Sequence, residues 1–112
     1  MAEQAIAGLL NTKNPSEPVR VWVVGCSTGE EAYTLAMLFK EQMAGMDNPP
    51  GLQIFATDID DKALNIARTG CYSDAIAEHV SQERLQRFFV SKGPDYQVSP
   101  EIRELCFFLI TI

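Results

Sequence analysis

The sequence predicts an α/β protein in which helices pack against a parallel sheet. Three apolar segments are typical of buried strands: Val19 to Val24, Gln53 to Thr57, and Cys106 to Ile112. Apolar residues at helical spacing follow each of the first two strands, and turn-forming residues separate strand from helix. The resulting order of strand, helix, strand, helix, helical insert and strand is half of a doubly wound sheet.

Composition narrows the class of partner and the cellular compartment. The 112 residues are enough for one core, and 46% hydrophobic and 21% charged residues are ordinary for a soluble domain. A net charge of -6 disfavours nucleic acid and anionic membranes. No apolar run reaches the roughly 18 residues of a membrane-spanning helix, and no secretion signal is evident, so we expect a cytoplasmic protein.

The first 18 residues predict a short helix followed by a proline-containing linker, and residues 19–112 predict the α/β domain. The first strand, Val19 to Val24, is β-branched and apolar at both odd and even positions. This pattern predicts burial on both faces, with Trp22 in the core.

The first helix is predicted from Glu30 to about Met43. Its apolar residues share one face: Ala32, Leu35, Ala36, Phe39 and Met43. A capping box is available in two registers, Thr28 with Glu31 or Ser27 with Glu30.

The second helix is predicted from Asp60 to Thr69, with Asp60 as N-cap and Gly70 as C-cap. Residues 73–80 and 81–90 predict two short helical pieces, the latter capped by Ser81. Its expected buried anchors are Leu85, Phe88 and Phe89, and its expected solvated face carries Arg84 and Arg87. A short strand at residues 96–98 and one or two helical turns at residues 100–105 precede the third strand.

The loop between the first strand and the first helix, Gly25 to Gly29, lies at the carboxyl end of a strand, where ligands bind in α/β sheets. Gly25 and Gly29 allow close backbone approach, and Ser27 and Thr28 complete the loop. Two acidic residues at the helix start, Glu30 and Glu31, would repel a phosphate or pyrophosphate. A cationic ligand such as S-adenosylmethionine fits better, with its carboxylate on loop N–H groups.

Asp58 follows the second strand and can accept hydrogen bonds from the two hydroxyls of a ribose. A simpler alternative stays open for Glu30 and Glu31. They could be first-turn acids that complement the helix dipole and bind no ligand. A nicotinamide-dependent oxidoreductase could use a similar βαβ unit, although G-x-G-x-x-G is absent. Three other residues have structural interpretations: His79 at the surface, Cys26 as a small packing residue, and Trp22 in the core.

The widely spaced cysteines Cys26, Cys71 and Cys106 form no C-x-x-C pair, so they predict neither a zinc site nor a disulfide framework. We expect all three to be reduced thiols and expect no metal site.

Two segments, GCSTGEEAYTLAML and IFATDIDDKALNIARTGCY, strongly resemble the CheR-type chemotaxis receptor methyltransferases. The family pattern reads close to G-C-S-T-G-E-E-x-Y and then A-T-D-I-D-x-x-x-L-x-x-A-R-x-G-x-Y. The likeness continues through ERLQRFF and IRELCFF and covers nearly everything from Val19 onward. Ala32, where many relatives have proline, is a mild departure.

The resemblance implies a Rossmann-like S-adenosylmethionine-dependent methyltransferase fold, here the front βαβαβ part of a three-layer domain. It implies methyl transfer to glutamate side chains of a chemoreceptor cytoplasmic region, with S-adenosylhomocysteine as product. The resemblance implies that Glu30 and Asp58 hold the cofactor. We expect the loop residues Gly25, Ser27, Thr28 and Gly29 to complete the cofactor site. The sequence of residues 73–90 is most similar to that of family members fused to a CheB-type methylesterase.

The family's amino-terminal helical domain, its later strands and its small β-subdomain have no predicted counterpart. We therefore assign no catalytic residue and expect a truncated, inactive cofactor-binding part. The alternative is a non-catalytic nucleoside-binding or docking module of a signalling protein. The apolar strand at Cys106 to Ile112 is expected to form a sheet edge, which predicts a homodimer.

Overall fold

The computed structural model describes Gln4, Ile6, residues 8–10 and residues 17–111. These residues form six strands: β1 Val19–Val24, β2 Leu52–Asp58, β3 Cys71–Tyr72, β4 Phe89–Lys92, β5 Asp95–Val98 and β6 Cys106–Ile110. The helices are α1 Glu30–Met43, α2 Asp61–Thr69, α3 Gln82–Phe88 and α4 Pro100–Arg103, with a 3-10 helix at Asp74–Glu78. The predicted linker at 11–16 and the end of the last strand at Ile112 lie outside the described residues.

The main sheet has the strand order β1-β2-β6, and all its pairs are parallel. Val21 lies opposite Ile54, which in turn lies opposite Cys106. The sequence predicted these three strands and the two helices between them nearly to the residue. The α/β class and the βαβαβ order are confirmed.

One core joins this sheet to its helices. Helix α1 buries one broad face: Ala32, Tyr33, Ala36, Met37, Leu38, Phe39 and Met43. The amphipathic helix α2 adds Ala63, Leu64 and Ala67. Ile6 and Leu10, helical residues from the start of the chain, belong to the same core.

The opposite face of the main sheet is exposed across the described residues. Trp22 is 61% exposed and stacks on Phe55 at 5.6 Å, and Phe55 stacks on Phe107 at 5.4 Å. The prediction that Trp22 is a core residue is therefore wrong, as is burial of the strand on both faces. The apolar residues of β1 are suited to burial on both faces of the sheet. Both described crossover helices, however, pack into the same core, so they cover only one face.

A second, antiparallel sheet with the order β3-β5-β4 lies beside the first. The predicted strand at residues 96–98 is confirmed as β5. The sequence predicted neither β3 nor β4, and the expectation that a small β-subdomain is missing is corrected by this sheet. Strands of two and four residues are too short to show the alternation that identifies a strand. A turn at Gly93, with φ of +60°, joins β4 to β5.

The helix ends show which side chains act as caps. Asp60 accepts hydrogen bonds from the amides of Lys62 and Ala63 at 3.0 and 3.2 Å, which confirms it as the N-cap of α2. Ser81 caps α3 as predicted. The capping box at α1 is wrong, because Gly29 is the N-cap and no side chain caps that helix.

Helix α3 is attached to α1 by an ion pair. Arg84, predicted to be solvated, donates to both carboxylate oxygens of Glu41 at 2.8 and 2.9 Å, and both residues are partly buried. Arg87 is exposed as predicted and lies over the Phe88 ring at 4.7 Å. No helix among the described residues has the length and apolar character to cross a bilayer.

The difference between the two faces of the sheet is testable by urea unfolding. We expect Trp22→Ala to lower the free energy of unfolding by only about 1 kcal/mol, because it removes one exposed aromatic stack. Phe88→Ala, at a fully buried ring, is expected to cost about 3 to 5 kcal/mol. Equal losses in the two variants would contradict the exposed position of Trp22.

Candidate functional site

The loop Gly25 to Gly29 is fastened to the carboxyl end of β2. The amides of Gly25 and Cys26 both donate to the carbonyl of Thr57, at 2.8 and 2.9 Å. Because one carbonyl accepts both bonds, the chain turns sharply as it leaves β1. The loop therefore lies over the end of the neighbouring strand, as the sequence predicted for a ligand-binding turn.

Asp58 holds the next residue of the loop. Its Oδ2 accepts from the Ser27 amide at 2.8 Å, and its Oδ1 accepts from the Asp60 amide at 2.9 Å. These amides, Asp60 first and then Ser27, lower the pKa of the Asp58 carboxyl because they stabilise its charged form. Each carboxylate oxygen can accept a further bond, so the half-buried Asp58 can still receive a ligand hydroxyl.

The two glycines of the loop are suited to their positions for different physical reasons. Gly29 has φ of +94°, and a Cβ there would lie 2.7 Å from Ala67 Cβ and 3.2 Å from the Phe108 ring. The side of Gly29 on which a side chain would lie therefore faces the protein interior instead of a ligand. Gly25 has φ of +72°, and nothing lies within 4 Å of an added Cβ. Only Gly25 retains the open side that was expected of both.

Four of the five loop residues use their amides within the protein. In addition to the three bonds described above, the Gly29 amide donates to the Cys26 carbonyl at 3.0 Å. A loop that binds phosphate presents such amides to its ligand. The expectation that several loop N–H groups would hold a ligand carboxylate is therefore corrected.

Glu30 begins α1 with its carboxylate exposed. Its Oε1 accepts a hydrogen bond from the Thr28 hydroxyl, so the side chains of Thr28 and Glu30 are joined. With Glu31 in the same first turn, it also complements the helix dipole. The structural and ligand-binding interpretations of Glu30 are compatible.

A cavity of about 380 Å³ lies between α1, the 3-10 helix and the small sheet. Its wall includes Glu30, Tyr33, Tyr72, Ile76 and His79. Asp58 is not part of this wall, so the cavity adjoins the loop site without containing both predicted carboxylates. His79 is exposed, as predicted.

Tyr72 is the residue that the sequence prediction missed. Its hydroxyl donates to the carbonyl of Thr28 at 2.6 Å, across 44 residues of chain. The only sequence signal was its place in the motif G-x-Y, which did not indicate a contact with the loop.

The cysteines are free thiols, and Cys26 is buried. Burial, and next the charge of Asp58, raise the pKa of Cys26, so its thiol stays protonated and unreactive. Its interpretation as a packing residue is confirmed. Within the described residues, no group of three His, Cys, Asp or Glu side chains is arranged to hold a metal ion.

Comparison with known proteins adds a family match and several relatives. Residues 1–110 match the family described as CheR methyltransferase, SAM binding domain. The chain is 42% identical over 94 residues to the chemotaxis protein methyltransferase Cher2 of Pseudomonas putida, covering 80% of this chain and 34% of that protein. It is 34% identical over 85 residues to the chemotaxis protein methyltransferase of Escherichia coli, covering 75% and 29%.

A third relative is an uncharacterized 104.1 kDa protein from the hypE 3' region of Rhodobacter capsulatus. It is 40% identical over 108 residues, which cover 96% of this chain and 11% of that protein. The chain thus spans about a third or less of the length of these curated relatives.

The different roles of the glycines predict different costs of substitution. Gly25→Ala adds only the strain of a left-handed residue, about 1 to 2 kcal/mol. Gly29→Ala adds that strain and a clash with Ala67, so we expect a larger loss, of about 3 kcal/mol or more. Thermal and urea unfolding measure both, and a Gly29→Ala variant as stable as Gly25→Ala would contradict the packing described.

Proposed function

The chain belongs to the CheR methyltransferases through their SAM binding domain, and from this we propose that it holds S-adenosylmethionine for methylation of glutamate side chains on chemoreceptors. The products would be a glutamyl methyl ester and S-adenosylhomocysteine. The family description indicates S-adenosylmethionine as the cofactor. The substrate and the activity of the whole protein are our proposals.

The proposal rests on one observation, which is how the amides of the loop and the carboxylates beside it are bonded. Four loop amides are bonded inside the protein, whereas the carboxylates of Asp58 and Glu30 reach solvent. Such a surface offers acceptors and negative charge. It suits a cationic ligand that carries hydroxyl groups and disfavours a pyrophosphate.

The residues present fit S-adenosylmethionine on this chemistry. Asp58 keeps acceptor capacity for the ribose hydroxyls, and Glu30 supplies negative charge for the amino group and sulfonium. The open side of Gly25 leaves room for close approach of the ligand to the backbone. Ser27, Thr28 and Gly29 hold the loop in shape, with Gly29 acting through its packing against α2.

When bound, the cofactor would supply an activated methyl group. The task of the chain's own residues is to bind and orient it, because a glutamate carboxylate is already a nucleophile and needs no general base. Asp58 and Glu30 are fixed relative to each other through the loop, which favours one ligand orientation. We assign no catalytic residue and propose that the chain alone is inactive.

The wider setting is also a proposal. We infer a cytoplasmic protein that acts on the cytoplasmic region of a methyl-accepting chemoreceptor. We also propose that this domain is joined to a CheB-type methylesterase in a longer protein. The match to only 11% of a 104.1 kDa relative supports the greater length and does not bear on the identity of the neighbouring domain.

The cofactor site is tested by isothermal titration of S-adenosylhomocysteine into the chain and its variants. We expect Glu30→Ala and Asp58→Ala each to weaken binding about ten-fold or more, because each removes a charged partner. Asp58→Asn removes the charge and one of the two backbone bonds, because its single amide oxygen can accept from Ser27 or from Asp60 but not from both. We expect it to weaken binding as Asp58→Ala does.

Asp61→Ala is the matched control, because Asp61 is an exposed carboxylate in the first turn of α2. It is expected to bind as the unmodified chain does. If Asp61→Ala weakens binding as much as Asp58→Ala, a general charge effect replaces the proposed site. If the unmodified chain does not bind the ligand, the proposal fails for this chain.

We also propose that β6 pairs with a second copy of the chain. It is an edge strand of the main sheet. The guanidinium of Arg68 donates to the Phe108 carbonyl at 2.8 and 3.3 Å, so part of the edge is already occupied. Pairing therefore requires that Arg68 move away.

Light scattering at rising protein concentration tests this pairing. We expect part of the unmodified chain to be dimeric at high concentration. The dimer fraction should be larger in Arg68→Ala, because this variant frees the Phe108 carbonyl. Lys62→Ala, at an exposed cation of the same helix, is the control and should leave the dimer fraction unchanged. Monomeric mass for both the unmodified chain and Arg68→Ala at high concentration would refute the proposal.

A further inference from the structure

We propose that Tyr72 is a positioning residue for the loop Gly25 to Gly29, and that through it the small antiparallel sheet controls the shape of the cofactor site. The inference rests on the proposed function for its relevance to the cofactor. The contact itself links two parts of the fold that are distant in sequence.

The Tyr72 hydroxyl fixes one peptide group of the loop. It donates to the Thr28 carbonyl at 2.6 Å, and the N–H of the same peptide group, at Gly29, donates to the Cys26 carbonyl at 3.0 Å. Both ends of this peptide plane are therefore bonded. Rotation of the plane would break two hydrogen bonds at once, which disfavours other loop shapes.

Thr28 connects this peptide to the proposed ligand groups. Its hydroxyl donates to Glu30, and the residue before it, Ser27, is held by Asp58. A change in the Thr28 peptide would thus move Glu30 and Asp58 relative to each other. Tyr72 acts on the site through Thr28 and is not itself assigned a contact with the ligand.

Tyr72 remains a hydrogen-bond donor at neutral pH. Burial, and next the charge of Glu30, raise the pKa of its hydroxyl far above the physiological range. The Tyr72 ring packs edge-on against Tyr33 at 6.4 Å, which orients the hydroxyl. Donor state and direction are both set by the surrounding protein.

The backbone of Tyr72 belongs to the small sheet. In β3 it pairs with Tyr96 of β5, and the amide of Val98 in β5 donates to the Gly70 carbonyl at 2.8 Å. Tyr72 also forms part of the wall of the 380 Å³ cavity that reaches Glu30. A shift of the sheet, or of the cavity wall, would therefore be transmitted to the loop.

The test compares Tyr72→Phe with Ser81→Ala. Both variants lose one hydroxyl that is bonded to the backbone, since the Ser81 hydroxyl accepts from the Arg84 amide at 3.2 Å in the cap of α3. In Tyr72→Phe we expect the Gly29 amide to exchange with solvent about five-fold faster in the ligand-free chain, measured by NMR. We expect affinity for S-adenosylhomocysteine to fall by a similar factor.

Ser81→Ala should lower the melting temperature to a similar extent while leaving Gly29 exchange and ligand affinity unchanged, because Ser81 caps α3 and makes no bond to the loop. The inference is overturned if Tyr72→Phe leaves Gly29 exchange unchanged, or if Ser81→Ala accelerates it equally. If the unmodified chain binds no S-adenosylhomocysteine, the proposed function fails for this chain, and the exchange measurement alone decides the role of Tyr72. Unchanged affinity with faster exchange would refute control of the cofactor site.

Discussion

The attachment of the first loop to the end of β2 is the constraint on which the site depends. The Thr57 carbonyl accepts two loop amides, and the Asp58 carboxylate accepts a third. The loop after one strand and the acidic residue after the next are thereby a single hydrogen-bonded unit. Helix α1 begins directly after this unit, so the position of Glu30 depends on the same bonds.

This arrangement also explains the charge of the site. In a phosphate-binding turn, backbone amides stay available for the anion and the helix dipole adds positive potential. Here most of those amides are consumed by the protein, and Glu30, Glu31 and Asp58 bring three carboxylates to the same end of the sheet. Loop geometry and charge therefore favour the same class of ligand, a cation with hydroxyl groups.

Much of the fold followed from local patterns in the sequence. Helix boundaries at α1 and α2 follow from apolar periodicity, and the caps at Asp60 and Ser81 follow from the chemistry of side chains that bond the nearest amides. Such interactions span a few residues, so they are visible in a sequence window. The bond from Tyr72 to Thr28 spans 44 residues, and no window contains it.

The sequence by itself determined the α/β class, the order of the main strands and the acidic loop, because each depends on residue type and short spacing. Tertiary structure decided which face of the sheet is covered, what surrounds each loop glycine, and how the short strands pair. Trp22 suits a core and yet is exposed, and Gly29 is required by Ala67 of another helix. These outcomes depend on which distant elements meet, and residue type alone does not specify that.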